Sequence, residues 1–242
     1  MKRKEIRIAT FSLPWFFWVA VAVIMLAGVR LAGSALERQR QFSLVRFLSV
    51  FELVYLLIYK YSLRYIRSEY NVFNELPCYL CNISSIMCLL AAATESKLLM
   101  AYCSSIGFLG AVLAYLMPDG PNVNQKFFSW QALGFYGYHS LLVASSLSFW
   151  VLGLYEPAVS DALKVTILTV VIIMAVHLVN LLMIKTGLNP QSNFIFTIRP
   201  DNAVLAWFHK LNPVQLWYLL PVAVPLWGLC AAELFLLRLL SR

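Results

Sequence analysis

Long apolar runs separated by short polar stretches recur along the whole chain. Seven can be traced, approximately Phe11–Leu31, Leu44–Tyr61, Leu76–Thr94, Leu98–Met117, Trp130–Leu154, Leu163–Lys185 and Val214–Leu240. Each approaches or exceeds the ~20 residues that an α-helix needs to cross about 30 Å of hydrocarbon. The pattern predicts an all-α, polytopic membrane protein with about seven transmembrane helices in one bundle, a single transmembrane domain over residues 1–242. The first run is too long for a cleavable signal peptide, and Val29-Arg30-Leu31-Ala32 is a poor small-residue cleavage site. No soluble domain, low-complexity tract or internal repeat is visible. The longest polar connection, Thr186–Pro213, contains Pro190, Pro200 and Pro213 and reads as a loop.

Composition agrees with the pattern and narrows the options. Only 12% of the residues are Asp, Glu, Lys or Arg and 61% are hydrophobic, against about 25% charged in a soluble domain. A soluble enzyme, a disordered tail, a nucleic-acid binder and a small disulfide scaffold are excluded. The excess of 19 Lys and Arg over 11 Asp and Glu, +8 in net charge, suits loops that face anionic lipid and implies no nucleic-acid partner. With the N-terminus inside, Lys2, Arg3, Lys4, Arg7, Lys60, Arg64, Arg67, Lys126, Lys185, Arg199 and Lys210 fall on the inner side. Arg30, Arg38, Arg40, Arg46, Lys97, Lys164, Arg238 and Arg242 fall outside. The bias favours a multi-pass protein of the cell membrane with a cytoplasmic N-terminus.

Polar residues inside the apolar runs are the candidates for chemistry, because an ionisable group in hydrocarbon is costly and usually faces the bundle interior or a cavity. His139 lies within Tyr136-Gly137-Tyr138-His139-Ser140 and reads as a general base or as an interior histidine hydrogen-bonded to a neighbouring hydroxyl. His177 and Asn180 stand three residues apart on one helix face, placed to orient a substrate or to join two helices. Glu52 is the acid near the middle of the second run, a binding or proton site or a structural partner. Glu233 near Arg238 reads as structural, and His209 in the polar loop reads as solvated. Cys88, Cys103 and Cys230 lie in apolar runs and read as small buried hydrophobes.

Leu76-Pro77-Cys78-Tyr79-Leu80-Cys81-Asn82 opens the third run. The positive end of a helix dipole favours a thiolate at that position. A thiolate beside a histidine can be an acyl-accepting nucleophile, two thiols separated by two residues can cycle through a disulfide, and two buried thiols can be inert. The stretch Pro77-Cys78-Tyr79-Leu80-Cys81 resembles the Pro-Cys-x-Leu-Cys of the DsbB family of quinone-linked thiol oxidases. That family follows it with Gln-Arg and carries a second cysteine pair in an outward loop, whereas here Asn82-Ile83-Ser84-Ser85 follows and the other cysteines are in apolar runs.

A broader similarity covers roughly Leu76 to Leu236. It is carried by Leu76-Pro77, Leu80-Cys81, Met117-Pro118, Phe127-Phe128, His139, Asn180, Gly187, Asn193-Phe194-Ile195-Phe196, Pro200, Asn212-Pro213 and Trp217-Tyr218-Leu219-Leu220. This series resembles the YwaF-like family of bacterial integral membrane proteins, whose eukaryotic relatives include a transmembrane acyltransferase acting on ether phospholipids. The resemblance implies a seven-helix fold with a Cys–His site, Cys81 as nucleophile and His139 as base. Asn180 and Asn193 would support the substrate or the oxyanion; His177 and Glu52, read from the residues alone, are further substrate-binding candidates. A membrane phospholipid would be the partner, and no cofactor or metal is implied. Where the family has Leu-His, this chain has Cys78-Tyr79, and a tyrosine is no base near neutral pH. Counted from the start of each run, Cys81 stands higher than His139, and Cys88, one heptad deeper, is a second candidate for the thiol. Two other function classes remain open. One is a small-solute transporter or permease component using Glu52, His139, His177 and Glu233; the other is an assembly partner whose polar residues only join helices.

Overall fold

A computed structural model describes residues 6–66, 70–118, 122–201 and 203–241. Lys2, Arg3, Lys4, Arg67 and Arg242 of the charge count lie outside the described residues. The described chain is helical. Among the described residues there is no strand, only an isolated antiparallel bridge between Arg7 and Lys126. The helices are α1 (Leu13–Gly33), α2 (Arg38–Ser62), α3 (Leu80–Thr94), α4 (Lys97–Tyr102), α5 (Phe108–Leu116), α6 (Trp130–Ala132), α7 (Tyr138–Val151), α8 (Asp161–Thr186), α9 (Ala203–Leu211) and α10 (Ala223–Leu240). Two π-helical segments, Cys103–Gly107 and Leu133–Gly137, join α4 to α5 and α6 to α7.

Each of the seven apolar runs coincides with helix. Five stretches are long and apolar enough to cross a membrane: Leu13–Gly33, Arg38–Tyr65, Lys97–Leu116, Asp161–Thr186 and Trp217–Leu240. The third run departs from expectation at its start. Pro77 does not open the helix; α3 begins at Leu80, and at 15 residues it extends about 22 Å. Thr186–Pro213 departs too. It is not simply a polar loop, because Val204, Trp207, Phe208 and Leu211 recur at helical spacing and form one face of α9.

The chain divides into two compact units. One comprises Met1–Ser68 with Ser84–Glu156, the other Glu69–Ile83 with Pro157–Arg242. In the first unit α7 is the hub, packed by α1, α2, α5 and the Cys103–Gly107 segment. Every α7 position from Tyr138 to Phe149 is buried, polar and apolar alike. The outward faces of α1 and α2 instead expose Leu13, Ile24, Phe47 and Leu57, the apolar surface that lipid requires. Ile8, Trp15, Trp18, Tyr115, Ala132, Phe135 and Tyr136 form an aromatic core at one end of this unit. At the other end three arginines neutralise helix C-termini. Arg30 donates to the Val151 carbonyl, Arg38 to Leu154 (3.3 Å) and Arg46 to Ala92 (2.9 Å).

In the second unit α8 packs along α10. The 26 residues of α8 extend about 39 Å. The helix ends where Gly187 takes a left-handed conformation at φ 73°, a C-terminal geometry that a side chain would strain. Leu163, Ile167, Val171, Met174 and Leu178 line the exposed face of α8.

Close approach of α2 to the Leu133–Gly137 segment depends on glycine. A Cβ at Gly134 would lie 1.9 Å from the Tyr59 ring, and one at Gly137 would lie 2.6 Å from the Tyr55 hydroxyl. Small residues allow such contact between membrane helices. Gly134→Ala is therefore expected to destabilise the protein by about 1–3 kcal/mol. Thermal unfolding in detergent would read this, and Tyr59→Leu in the same chain should recover part of the loss. Equal melting of Gly134→Ala and the wild type would disprove the contact.

Candidate functional site

The Cys-Tyr-Leu-Cys segment belongs to the second unit. A single 3-10 turn, Val72–Asn74, precedes it, capped by Asn71, whose side chain accepts from the Phe73 N–H (2.9 Å). The Cys78 N–H then bonds the Leu76 carbonyl (2.7 Å), and the Ile83 N–H bonds that of Tyr79 (3.0 Å) as α3 begins. Cys81 thus sits in the first turn of α3, half-buried like Cys78. No disulfide joins any of the five cysteines. Tyr79, between the two thiols, places its ring edge-on against Phe194 at 5.2 Å.

Phe194 begins the turn Phe194–Phe196, and this turn is strained. Ile195 and Phe196 both take positive φ, 53° and 57°, a region that side chains disfavour by roughly 1–3 kcal/mol per residue. Asn180 of α8 holds the turn. Its Nδ2 donates to the Phe194 carbonyl (2.9 Å) and to Thr197 Oγ1 (2.8 Å). Its Oδ1 accepts from Ser192 Oγ (2.7 Å) and from the Phe194 N–H (2.9 Å). Those four bonds use the whole capacity of an amide side chain. His177, one turn earlier on α8, has Nδ1 3.1 Å from Thr197 Oγ1. Asn193 accepts from the N–H groups of Ile198 and Arg199 (each 3.1 Å) and donates to the Arg199 carbonyl (3.0 Å). From the segment before α10, the Leu216 N–H bonds the Thr197 carbonyl (2.9 Å) and the Tyr218 hydroxyl donates to that of Phe196. Asn189 donates toward the Phe73 carbonyl (3.4 Å), tying this loop to the turn ahead of the cysteines.

His139 belongs to the first unit. Its Nδ1 lies 2.7 Å from the Phe135 carbonyl. A carbonyl only accepts, so Nδ1 carries the proton and Nε2 the lone pair. The ring also lies 4.5 Å from that of Phe135 and is 6% exposed. A π segment widens the helical turn and shifts its carbonyls out of the ordinary ladder. Here side chains take them up: Tyr55 donates to Leu133 (2.8 Å), His139 bonds Phe135, and Tyr115 (3.1 Å) and Ser140 (2.8 Å) donate to Tyr136.

Glu52 of α2 is fully buried in the same unit. Ser85 of α3 donates to its Oε1 and Ser145 of α7 to its Oε2. The Ser85 hydroxyl is also 2.7 Å from that of Tyr138. Deeper on α3, Cys88 Sγ lies 3.6 Å from Ser146 Oγ. Ser49 Oγ, one turn from Glu52 on α2, is buried with no hydrogen-bond partner among the described residues.

The structure thus brings Asn180 and His177 together at Thr197, with Asn193 bonded to Ile198 and Arg199 of the same loop, in the unit that also contains Cys81. It gathers Glu52 with Ser85, Ser145 and Tyr138 in the unit that contains His139. Sequence reasoning missed Ser85, Ser145, Ser192 and Thr197. The available signal was the pairs Ser84-Ser85, Ser104-Ser105 and Ser145-Ser146 inside apolar runs. His209, expected to be solvated, is instead half-buried on α9 with its ring 5.2 Å from Tyr218, edge-on. The Glu233 carboxyl is buried and has no hydrogen-bond partner among the described residues. Among the described residues no group of three or more His, Cys, Asp or Glu is arranged to hold a metal ion.

Comparison with known families adds one finding. The model of the TMEM164 family matches residues 9–231. The chain belongs to the TMEM164 family. This is a transmembrane family, so the long apolar helices are those of a multi-pass membrane protein. The TMEM164 match runs from before α1 into α10 and takes in both units, the cysteine segment, His139 and the asparagine loop. No curated protein and no solved structure matches this TMEM164-family chain significantly.

Asn180 gives this region its sharpest test. Asn180→Ala would leave Ser192 Oγ and the Phe194 N–H without their acceptor beside two strained residues. The expected cost is about 2–4 kcal/mol, read by denaturant unfolding in micelles and by faster chymotrypsin cleavage after Phe194 or Phe196. Unchanged stability and cleavage would show that other contacts hold the turn.

Proposed function

We propose that this protein is an integral membrane enzyme that transfers or hydrolyses acyl groups of membrane phospholipids. Cys81 is the nucleophile and His139 the base. The protein crosses the cell membrane seven times, α3 and Trp130–Val151 completing the five longer spans, with a cytoplasmic N-terminus. The single observation that carries the reading is the state of the His139 ring. Its Nδ1 is committed to the Phe135 carbonyl, so the basic Nε2 is the atom that takes and returns a proton, as a second hydrogen bond does for other catalytic histidines. The position of Cys81 in the first turn of α3 adds to this, since a helix N-terminus stabilises negative charge.

The chemistry then proceeds in two displacements. The Cys81 thiol passes its proton to His139 Nε2, and its sulfur attacks the ester carbonyl carbon. The carbonyl π electrons move to oxygen, then return as the C–O bond to the lysolipid breaks; the departing alkoxide takes the proton from His139. An acceptor hydroxyl, or water, gives its proton to His139 and attacks the thioester, which expels the Cys81 thiolate to be reprotonated. Asn180 and Asn193 support the site by holding the Phe194–Phe196 turn, against which Tyr79 packs beside the thiol.

p-Nitrophenyl octanoate tests this reading, with p-nitrophenolate release followed by absorbance and the adduct by intact mass and peptide mapping in detergent. Wild type and Cys78→Ala should carry an octanoyl group on Cys81. Cys81→Ala should carry none, and His139→Ala should acylate about 10²–10⁴-fold more slowly. No acylation of Cys81 in the wild type, or turnover that survives Cys81→Ala, overturns the mechanism. Cys78 and Cys81 found disulfide-linked and never acylated would replace it with thiol oxidation.

A further inference from the structure

A buried carboxyl inside a membrane protein is expensive and persists where it has partners and a use. Those of Glu52 are specific. A serine hydroxyl has one hydrogen, and that of Ser85 goes to Glu52 Oε1, so at its 2.7 Å contact with Tyr138 it is Tyr138 that donates. Ser145 supplies the hydrogen at Oε2. The hydroxyls therefore point one way, Tyr138 to Ser85 to Glu52, with Ser145 arriving from the other side. Tyr138 and Ser145 are seven residues apart, two turns along one face of α7. The carboxyl grips α7 at both points, and Tyr138 is the residue before His139.

We infer that Glu52 is a positioning residue for His139. Held through Ser145 directly and through Ser85 and Tyr138, α7 keeps one rotation about its axis, and that rotation aims the His139 ring. The hydrogen bond from Nδ1 to Phe135 sets the ring relative to its own helix; the Glu52 clamp sets the helix relative to α2 and α3. Glu52 touches no reacting atom. The inference rests on His139 being the base proposed above and assigns that base its support.

Glu52→Gln keeps the size of the side chain but replaces one acceptor with a donor, which cannot receive the hydrogen of Ser85 or Ser145. Misplacement of a reacting group by about 1 Å can lower a rate about 10²-fold. With p-nitrophenyl octanoate, Glu52→Gln is expected to lower kcat about 10–100-fold while KM changes less than about twofold. Tyr138→Phe and Ser145→Ala remove single grips without adding a donor, and each should lower kcat by a smaller factor. Tyr138→Phe in the Glu52→Gln background should lose little more than Glu52→Gln alone, because both break one chain. Rates are expressed per folded molecule, from the monodisperse fraction on size exclusion.

A kcat per folded molecule within twofold of wild type in both Tyr138→Phe and Ser145→Ala overturns the inference, whether or not Glu52→Gln folds. So does a fall confined to melting temperature, which is what a purely structural carboxyl would show. Cys81→Ala in parallel separates the two claims. If it is inactive while the clamp variants are normal, the inference alone fails; if it is active, the acyl mechanism fails with it.

Discussion

Burial of α7 on every side governs the larger unit. A helix that faces lipid must present apolar side chains, whereas a helix enclosed by α1, α2, α5 and the Cys103–Gly107 segment faces only protein and can carry serines, a tyrosine and a histidine. The condition is that each polar atom finds a partner, because none is offered by hydrocarbon. The hydroxyls of Ser140, Ser145 and Ser148 meet it with bonds to carbonyls of α7 or of the π segment before it, or to Glu52. Tyr55 and Tyr115 meet it from adjacent helices by taking up carbonyls of the π segment. Glycine at 134 and 137 then lets α2 come close enough for these bonds to form. The polar interior is thus a consequence of where the helix sits.

The smaller unit is organised around strain instead. Two successive residues with side chains, Ile195 and Phe196, hold left-handed backbone, and such conformations persist only where the surroundings over-determine them. One amide side chain, that of Asn180, supplies four of the constraints. Thr197 links it to His177, and Tyr218 adds a bond from the far side of the chain. The turn that results presents Phe194 to Tyr79, one of the two residues between the cysteines. A proline-led helix start and an asparagine-rich loop, separated by more than a hundred residues of sequence, are thereby one packed region.

Arginines illustrate a related economy. Arg30, Arg38 and Arg46 sit where charge counting alone would assign them to a surface facing water. Each donates to a carbonyl at or just beyond the end of α3 or α7, where cations complement the helix dipole. The pairing of Arg46 with Glu95 at 3.8 Å, both partly exposed, adds little by comparison.

Apolar periodicity and length were enough to establish a helical, polytopic membrane protein, because hydrocarbon imposes a local rule on every residue it touches. They also located helix at all seven runs. The start of α3 was displaced to Leu80 because the preceding residues make tighter local turns around Asn71 and Pro77, and α9 was hidden in a segment that prolines and polar residues made look irregular. Candidate residues were legible as polar exceptions: Glu52, His139, His177 and Asn180 all stood out from apolar surroundings. What they bond to was not. Ser85 and Ser145 lie far from Glu52 in sequence, and small hydroxyls in apolar runs are individually unremarkable. The proton on Nδ1 of His139, the four bonds of Asn180 and the left-handed pair at Ile195 and Phe196 arise from groups that meet only when the chain has folded. Solvent preference is a property of each residue and can be read one position at a time; hydrogen-bond partnership belongs to pairs of residues, and tertiary structure alone selects the pairs.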